Sequence, residues 1–126
     1  MKDFIVTDGY DVTKEAVIPY GNVDTVIKSQ KIPSSTNLII THFANDVSDL
    51  AAWTDAGGVT WQVRINSITV LETKNQLGNT SQLRELGKSI EVRGGDLIEY
   101  IAKNPSAATN YTLLVSVKGY YGYWER

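Results

Sequence analysis

The chain has 126 residues, 42% hydrophobic and 21% charged, with 12 basic and 14 acidic side chains and no cysteine. This size and apolar content fit one self-supporting domain over residues 1–126 and argue against disorder. A net charge of −2 excludes a strong non-specific nucleic-acid binder, and the lack of cysteine excludes disulfides and thiolate metal sites. No apolar run follows a basic N-terminal segment, so no signal peptide is expected, and no window approaches the roughly 18 apolar residues of a membrane helix. The expectation is a protein made in a reducing cytoplasm, with neither nucleic acid nor membrane as partner.

Taken in order, Phe4-Ile5-Val6 opens a short strand that Asp8-Gly9 closes as a turn. Val12 to Tyr20 is extended, and Pro19 marks it as an edge or connection. Gly21-Asn22 turns the chain, Val23 to Lys28 alternates weakly, and Pro33-Ser34-Ser35 is a loop. Asn37 to Ala44 carries apolar groups on both faces, as a strand covered on both sides does. Asn45 to Trp53 is the best helical candidate: Asn45 or Asp46 caps it, and Val47, Leu50 and Ala51 have i, i+3, i+4 spacing.

Val59, Trp61, Val63 and Ile65 alternate with polar residues as a clear strand, with Trp61 in the inward phase. Asn66-Ser67 is a tight connection to the β signal at Ile68, Val70 and Leu71. Lys74 to Lys88 reads as a long polar loop with one helical turn over Ser81–Leu86. Ile90–Val92 is a short strand, Gly94-Gly95-Asp96 a turn, and Leu97 to Lys103 a longer strand. Asn104-Pro105-Ser106 leads to the last strand. About eight strands with almost no helix predict an all-β protein, an antiparallel β-sandwich in the form of an eight-stranded jelly roll. The alternative is an immunoglobulin-like sandwich without its usual cysteine pair.

The final stretch is the most informative. Tyr111, Leu113, Val115 and Val117 share one face, and Gly119-Tyr120-Tyr121-Gly122-Tyr123-Trp124-Glu125-Arg126 follows. Continued alternation puts Tyr121 and Tyr123 on the core face and Tyr120 and Trp124 on the other, unless Gly119 or Gly122 hosts a bulge. The aromatics either cap the core or anchor a partner interface made of Tyr120, Trp124 and Arg126, since Tyr, Trp and Arg are enriched at binding hot spots. A third reading is a sugar platform, to which Trp53 and Trp61 are further candidates.

The sequence holds no catalytic or metal motif that stands out. His42 is the lone histidine, with no second histidine or cysteine to complete a metal site. No nucleophile-elbow sequence surrounds a serine. Glu91 and Glu99 lie on neighbouring predicted strands, so they are a candidate carboxylate pair, but both read more simply as solvated surface. Asp46, Asp49 and Asp55 cluster without the spacing of an EF-hand loop. Gly57-Gly58 and Gly94-Gly95 lack the lysine or helix of a phosphate loop. The Asn79 and Asn110 glycosylation sequons are read as chance. No cofactor is expected.

The stretch Ser89-Ile90-Glu91-Val92-Arg93-Gly94-Gly95-Asp96-Leu97-Ile98-Glu99-Tyr100 is a short strand, a Gly-Asp turn and a long strand. With the Gly-Tyr-Tyr-Gly-Tyr-Trp ending, it resembles small jelly-roll structural proteins of tailed bacteriophages, namely capsid decoration (cement) proteins and head or tail accessory proteins. The resemblance covers the last third of the chain. It implies a non-enzymatic virion component on the capsid surface, bound to the major capsid protein or other virion proteins and often oligomeric. No individual binding residue is carried over from it. The alternative is a carbohydrate-binding or host-receptor-binding module of a phage tail or fibre, motivated by three tryptophans and seven tyrosines. A small sandwich hydrolase comes third.

Overall fold

A computed structural model of the chain describes residues 2–47, 58–74 and 84–125. These form eight strands: β1 (Phe4–Ile18), β2 (Thr25–Lys31), β3 (Asn37–Val47), β4 (Thr60–Ile65), β5 (Ile68–Lys74), β6 (Arg84–Val92), β7 (Leu97–Lys103) and β8 (Tyr111–Trp124). There is no helix among the described residues. The strands make two four-stranded sheets, β1-β8-β3-β6 and β2-β7-β4-β5, and every pairing is antiparallel. The first strand pairs with the last, and most connections cross between the sheets. This is the double Greek key of a jelly roll. An immunoglobulin sandwich would group strands 1, 2, 4 and 5 in one sheet, so that alternative is excluded.

The core fills the space between the sheets. Leu38, Ile40 and Phe43 from β3 and Leu113, Val115 and Val117 from β8 meet Trp61 and Val63 from β4 and Ile98, Tyr100 and Ala102 from β7. These four strands are the inner strands of the two sheets, so their inward side chains lose almost all contact with water. Trp61 is buried, as its phase predicts.

Local turn chemistry behaves as expected at two connections. Asn66 and Ser67, at φ 50° and 69°, form the two-residue link between Ile65 and Ile68, with the left-handed pair that suits the twist of a hairpin. In the Arg93–Asp96 turn the Asp96 amide donates to the Arg93 carbonyl at 3.0 Å, and the Arg93 amide donates to the Asp96 carboxylate at 3.3 Å. Asn66 joins the two turns: it accepts from the Leu97 amide and donates to the Asp96 carboxylate, each at 3.0 Å.

Three expectations are corrected. Asp8-Gly9 is not a turn, because β1 runs unbroken through it. Thr7 is an extra residue between the Val6–Gly122 and Asp8–Tyr121 pairs, a bulge that absorbs the local bend while β8 goes on supplying backbone partners. The Asn45–Trp53 helix is overturned at its start: Asn45, Asp46 and Val47 continue β3, paired with Val115, Leu114 and Leu113. A helix of two turns is marginal alone, and a ready strand partner outweighs it. The rest of that segment lies outside the described residues. Likewise Arg84, Glu85 and Leu86 are strand, at the start of β6, rather than a helical turn, because β3 pairs with Arg84 through Phe43 and with Glu85 through His42. Ser81–Leu83 lie outside the described residues.

β8 itself keeps its phase through Gly119 and Gly122, and the bulges lie in its neighbours. One extra residue, Thr41, sits in β3 opposite Gly119 and Lys118, and Thr7 sits in β1 opposite Gly122 and Tyr121. At Gly119 an added Cβ would collide with the Ile39 carbonyl oxygen and lie 3.0 Å from the Ile40 Cα. Glycine is therefore required by close backbone approach at the bulge. Gly119→Ala should lower stability by about 1–3 kcal/mol, read as a reduced urea midpoint at unchanged slope. Gly87→Ala, where nothing lies within 4 Å of the added carbon, should change it by less than about 0.5 kcal/mol.

Candidate functional site

The outer face of the β1-β8-β3-β6 sheet carries an aromatic strip. Tyr120 and Trp124 are four residues apart on β8, so they share a face with Gly122 between them. The Phe4 ring from β1 occupies the gap. Its centroid lies 5.7 Å from Tyr120 at 57° and 5.0 Å from Trp124 at 77°, a tilted and an edge-on contact of the kind the ring quadrupoles favour. A Cβ on Gly122 would fall 2.5 Å from the Phe4 ring. The same carbon would collide with the Ile5 carbonyl oxygen, so the missing side chain at Gly122 admits both the β1 backbone and the Phe4 ring.

The surroundings fix the strip. Ile39 on β3 pairs with Tyr120 on one side and Glu91 on the other and is itself buried. Trp124 Nε1 donates to the Glu91 carboxylate at 2.5 Å, fastening the indole across β3 to β6. The Glu125 amide donates to the Asp3 carbonyl at 2.9 Å, so the two ends of the described chain meet beside the strip. Trp124 is 45% exposed, and Val6, in register with Gly122, is 58% exposed.

Of the predicted interface, Tyr120 and Trp124 are brought together on one face, and Arg126 lies outside the described residues. Tyr121 points inward and packs on the core. Tyr123, expected inward, is corrected: it is 46% exposed, because on β8 the fully buried core positions end at Val117 and the strand runs on beyond them. Phe4 was not anticipated, and the signal that points to it is Gly122, a ring-sized gap between two aromatics on one face.

The other candidates are dispersed. Glu91 and Glu99 fall on β6 and β7, in opposite sheets, so they do not form an adjacent pair in one sheet. His42 sits between Lys118 and Glu85 in register, with its Nδ1 2.8 Å from the Thr41 hydroxyl. Asp46 is on β3, while Asp49, Asp55, Trp53, Gly57 and Asn79 lie outside the described residues. No group of three or more His, Asp or Glu suited to a metal occurs among the described residues. On the opposite sheet Arg64 hydrogen-bonds Asp24 at 2.7 Å and holds its carboxyl below the usual range, with Lys103 at 3.3 Å adding to the effect. This cluster is open to solvent, where such pairs contribute little to stability.

A buried polar network joins the sheets behind the strip. The Tyr10 and Tyr100 hydroxyls are 2.8 Å apart, Tyr10 donates to Gln30 Oε1 at 3.2 Å, and Gln30 Nε2 donates to the Tyr121 hydroxyl at 2.7 Å. Tyr10 also meets Tyr121 edge-on at 5.4 Å. Burial pushes both the Tyr10 and Tyr100 phenols up, away from ionisation. The network thus holds Tyr121, and with it the end of β8, by neutral hydrogen bonds.

No family model matches the chain, and no curated protein matches it. Among solved structures, a chain from a structure of infectious bursal disease virus, Gt strain, is similar, with 12% identity and a TM-score of 0.30. The match covers 98% of this chain and 42% of that one, so the chain spans less than half the length of the viral chain. Likeness at that level carries nothing about function.

The network has a pH consequence. Both phenols are raised in the fold, so the unfolded chain releases these protons first. Their contribution to stability is fully present below the unfolded value of about 10 and is lost as pH rises through the folded values. The urea midpoint should fall between about pH 9 and about pH 11. Tyr100→Phe should cost about 1 kcal/mol at neutral pH and show a shallower alkaline decline.

Proposed function

We propose that the chain is a non-enzymatic virion structural protein, a capsid decoration (cement) component of a tailed bacteriophage. In this reading it is made in the host cytoplasm and sits in many copies on the capsid surface, bound to the major capsid protein. The observation that carries the reading is the Tyr120–Phe4–Trp124 strip, a partly exposed aromatic row on the outer face of a jelly roll. A row of rings held by its own neighbours loses little conformational freedom on docking, which favours a contact surface.

Sheet edges are the less suitable glue. β1 has the Thr7 bulge, β2 an extra residue at Ile27, β5 one at Val70, and β6 an unpaired run at Leu86–Ser89. Each break interrupts the row of amides and carbonyls that an added strand would pair with. The face remains, and repetition on a lattice, or within a homo-oligomer, raises the strength of a modest contact. The reading assigns the chain no reaction and no cofactor.

Mass spectrometry of purified particles should find the protein at high copy number, and absence from particles would overturn the reading. Trp124→Ala should lower its occupancy on particles about tenfold or more, while the protein stays folded with its urea midpoint lowered by the loss of the Phe4 contact and the Glu91 hydrogen bond.

One observation favours a second reading, a glycan- or receptor-binding module of a tail or fibre. Trp124 is half exposed with the Glu91 carboxylate beside it, and an indole face next to a hydrogen-bond acceptor suits a pyranose ring. Tryptophan fluorescence should then respond to a glycan, and a flat response across a broad glycan panel removes this reading.

A further inference from the structure

The seam between β5 and β6 holds a cleft that meets the strip only at Glu91. These strands are the free edges of opposite sheets on one side of the sandwich. Both depart from regular pairing where they face each other. On β5, Val70 is an extra residue between the Leu71–Val63 and Thr69–Arg64 pairs. On β6, Leu86–Ser89 have no register partner between the Glu85–His42 and Ile90–Ile40 pairs. The two irregular stretches border a cleft of about 470 Å³ lined by Ile65, Val70, Leu71, Leu86, Lys88 and Ile90. That volume lies within the range of small-molecule sites, about 300–1,000 Å³.

The lining defines the ligand chemistry. Ile65, Leu71, Leu86 and Ile90 are half-buried and pack against the core, so the floor is aliphatic and already held in place. The charged lining groups are Lys88 and Glu91. Glu91 is negatively charged, but its carboxylate is engaged by the Trp124 indole across β3 at the strip end of the lining, which leaves Lys88 as the free charged group. Lys88 is exposed and, among the described residues, has no ion-pair partner. An extended peptide is disfavoured, because the irregular edges deny it a continuous backbone ladder. A flexible aliphatic chain needs no such ladder.

We propose that this cleft binds a medium-length, unbranched aliphatic carboxylate, with its chain against Ile65, Leu71, Leu86 and Ile90 and its carboxylate paired with Lys88. The apolar floor supplies burial of the chain, and the single uncommitted cation selects the sign of the head group.

The test is a methyl-resolved NMR titration of the intact protein with sodium decanoate. Saturable shifts should appear at Ile65, Leu71, Leu86 and Ile90, with a dissociation constant of about 1 mM or tighter. Decyltrimethylammonium, the same chain on a cationic head, should bind at least about fivefold more weakly. Lys88→Glu is at an exposed position and should fold normally. It should weaken decanoate binding about fivefold and remove the preference for the anion. Val70→Asp, also on the surface, should weaken decanoate as well. The proposal is overturned by the absence of saturable shifts below about 10 mM, by shifts that map elsewhere, or by equal affinity for the two heads. Saturable binding of an extended peptide with no response to decanoate would also overturn it, and would assign the cleft to a protein partner.

Discussion

The backbone pairing of β8 between β1 and β3 is the constraint on which the rest depends. This strand runs through the middle of its sheet for 14 residues, and both neighbours follow it over most of its length. An inner strand has no free edge, so its amides and carbonyls are satisfied on both sides, and leaving them unpaired in the core would be costly. Its neighbours therefore adapt to it. Thr7 and Thr41 are squeezed out as bulges, and glycines stand on β8 where the neighbouring backbones crowd closest. The same pairing draws Asn45–Val47 away from helix and carries β1 through Asp8-Gly9.

From that strand the two faces take separate roles. Inward, Leu113, Val115 and Val117 build the core, and Tyr121 enters a neutral hydrogen-bond network with Gln30, Tyr10 and Tyr100 that ties the two sheets together. Outward, Tyr120 and Trp124 frame the Phe4 ring over Gly122. Glycine at 122 thus serves both the strand ladder, where the Ile5 carbonyl crowds it, and the seat of the Phe4 ring, while glycine at 119 serves the ladder. Interrupted pairing on all four edge strands limits strand addition there.

Much of this was legible in the residues. The period-two alternation of Val59–Ile65 and Tyr111–Val117 marks inward and outward positions, because a side chain's face in a strand follows from parity alone. Asn66-Ser67 and the Arg93–Asp96 turn were readable because their chemistry is local. The pairing of Tyr120 with Trp124 was readable for the same reason as the alternation. Phe4 was not, since it comes from the opposite end of the chain. Glu91 reads from the sequence as solvated surface and proves to be the acceptor of an indole 33 residues away. Tyr123 follows its parity but not its expected burial, because parity says nothing about where the core ends.

The sequence by itself determined the all-β class, the inward set of the clearest strands and the two outward aromatics of the last strand. These follow from alternation and turn chemistry, which act over a few residues. Only the tertiary structure decided the jelly-roll order, the loss of the expected helix at Asn45–Val47, the seat of Phe4 and the cleft between β5 and β6. Each of these rests on contacts between residues distant along the chain, and one-dimensional spacing holds no record of which strands will lie side by side. The aromatic ending that reads as the tail of a strand is, in the fold, one half of a strip completed from the other end of the chain.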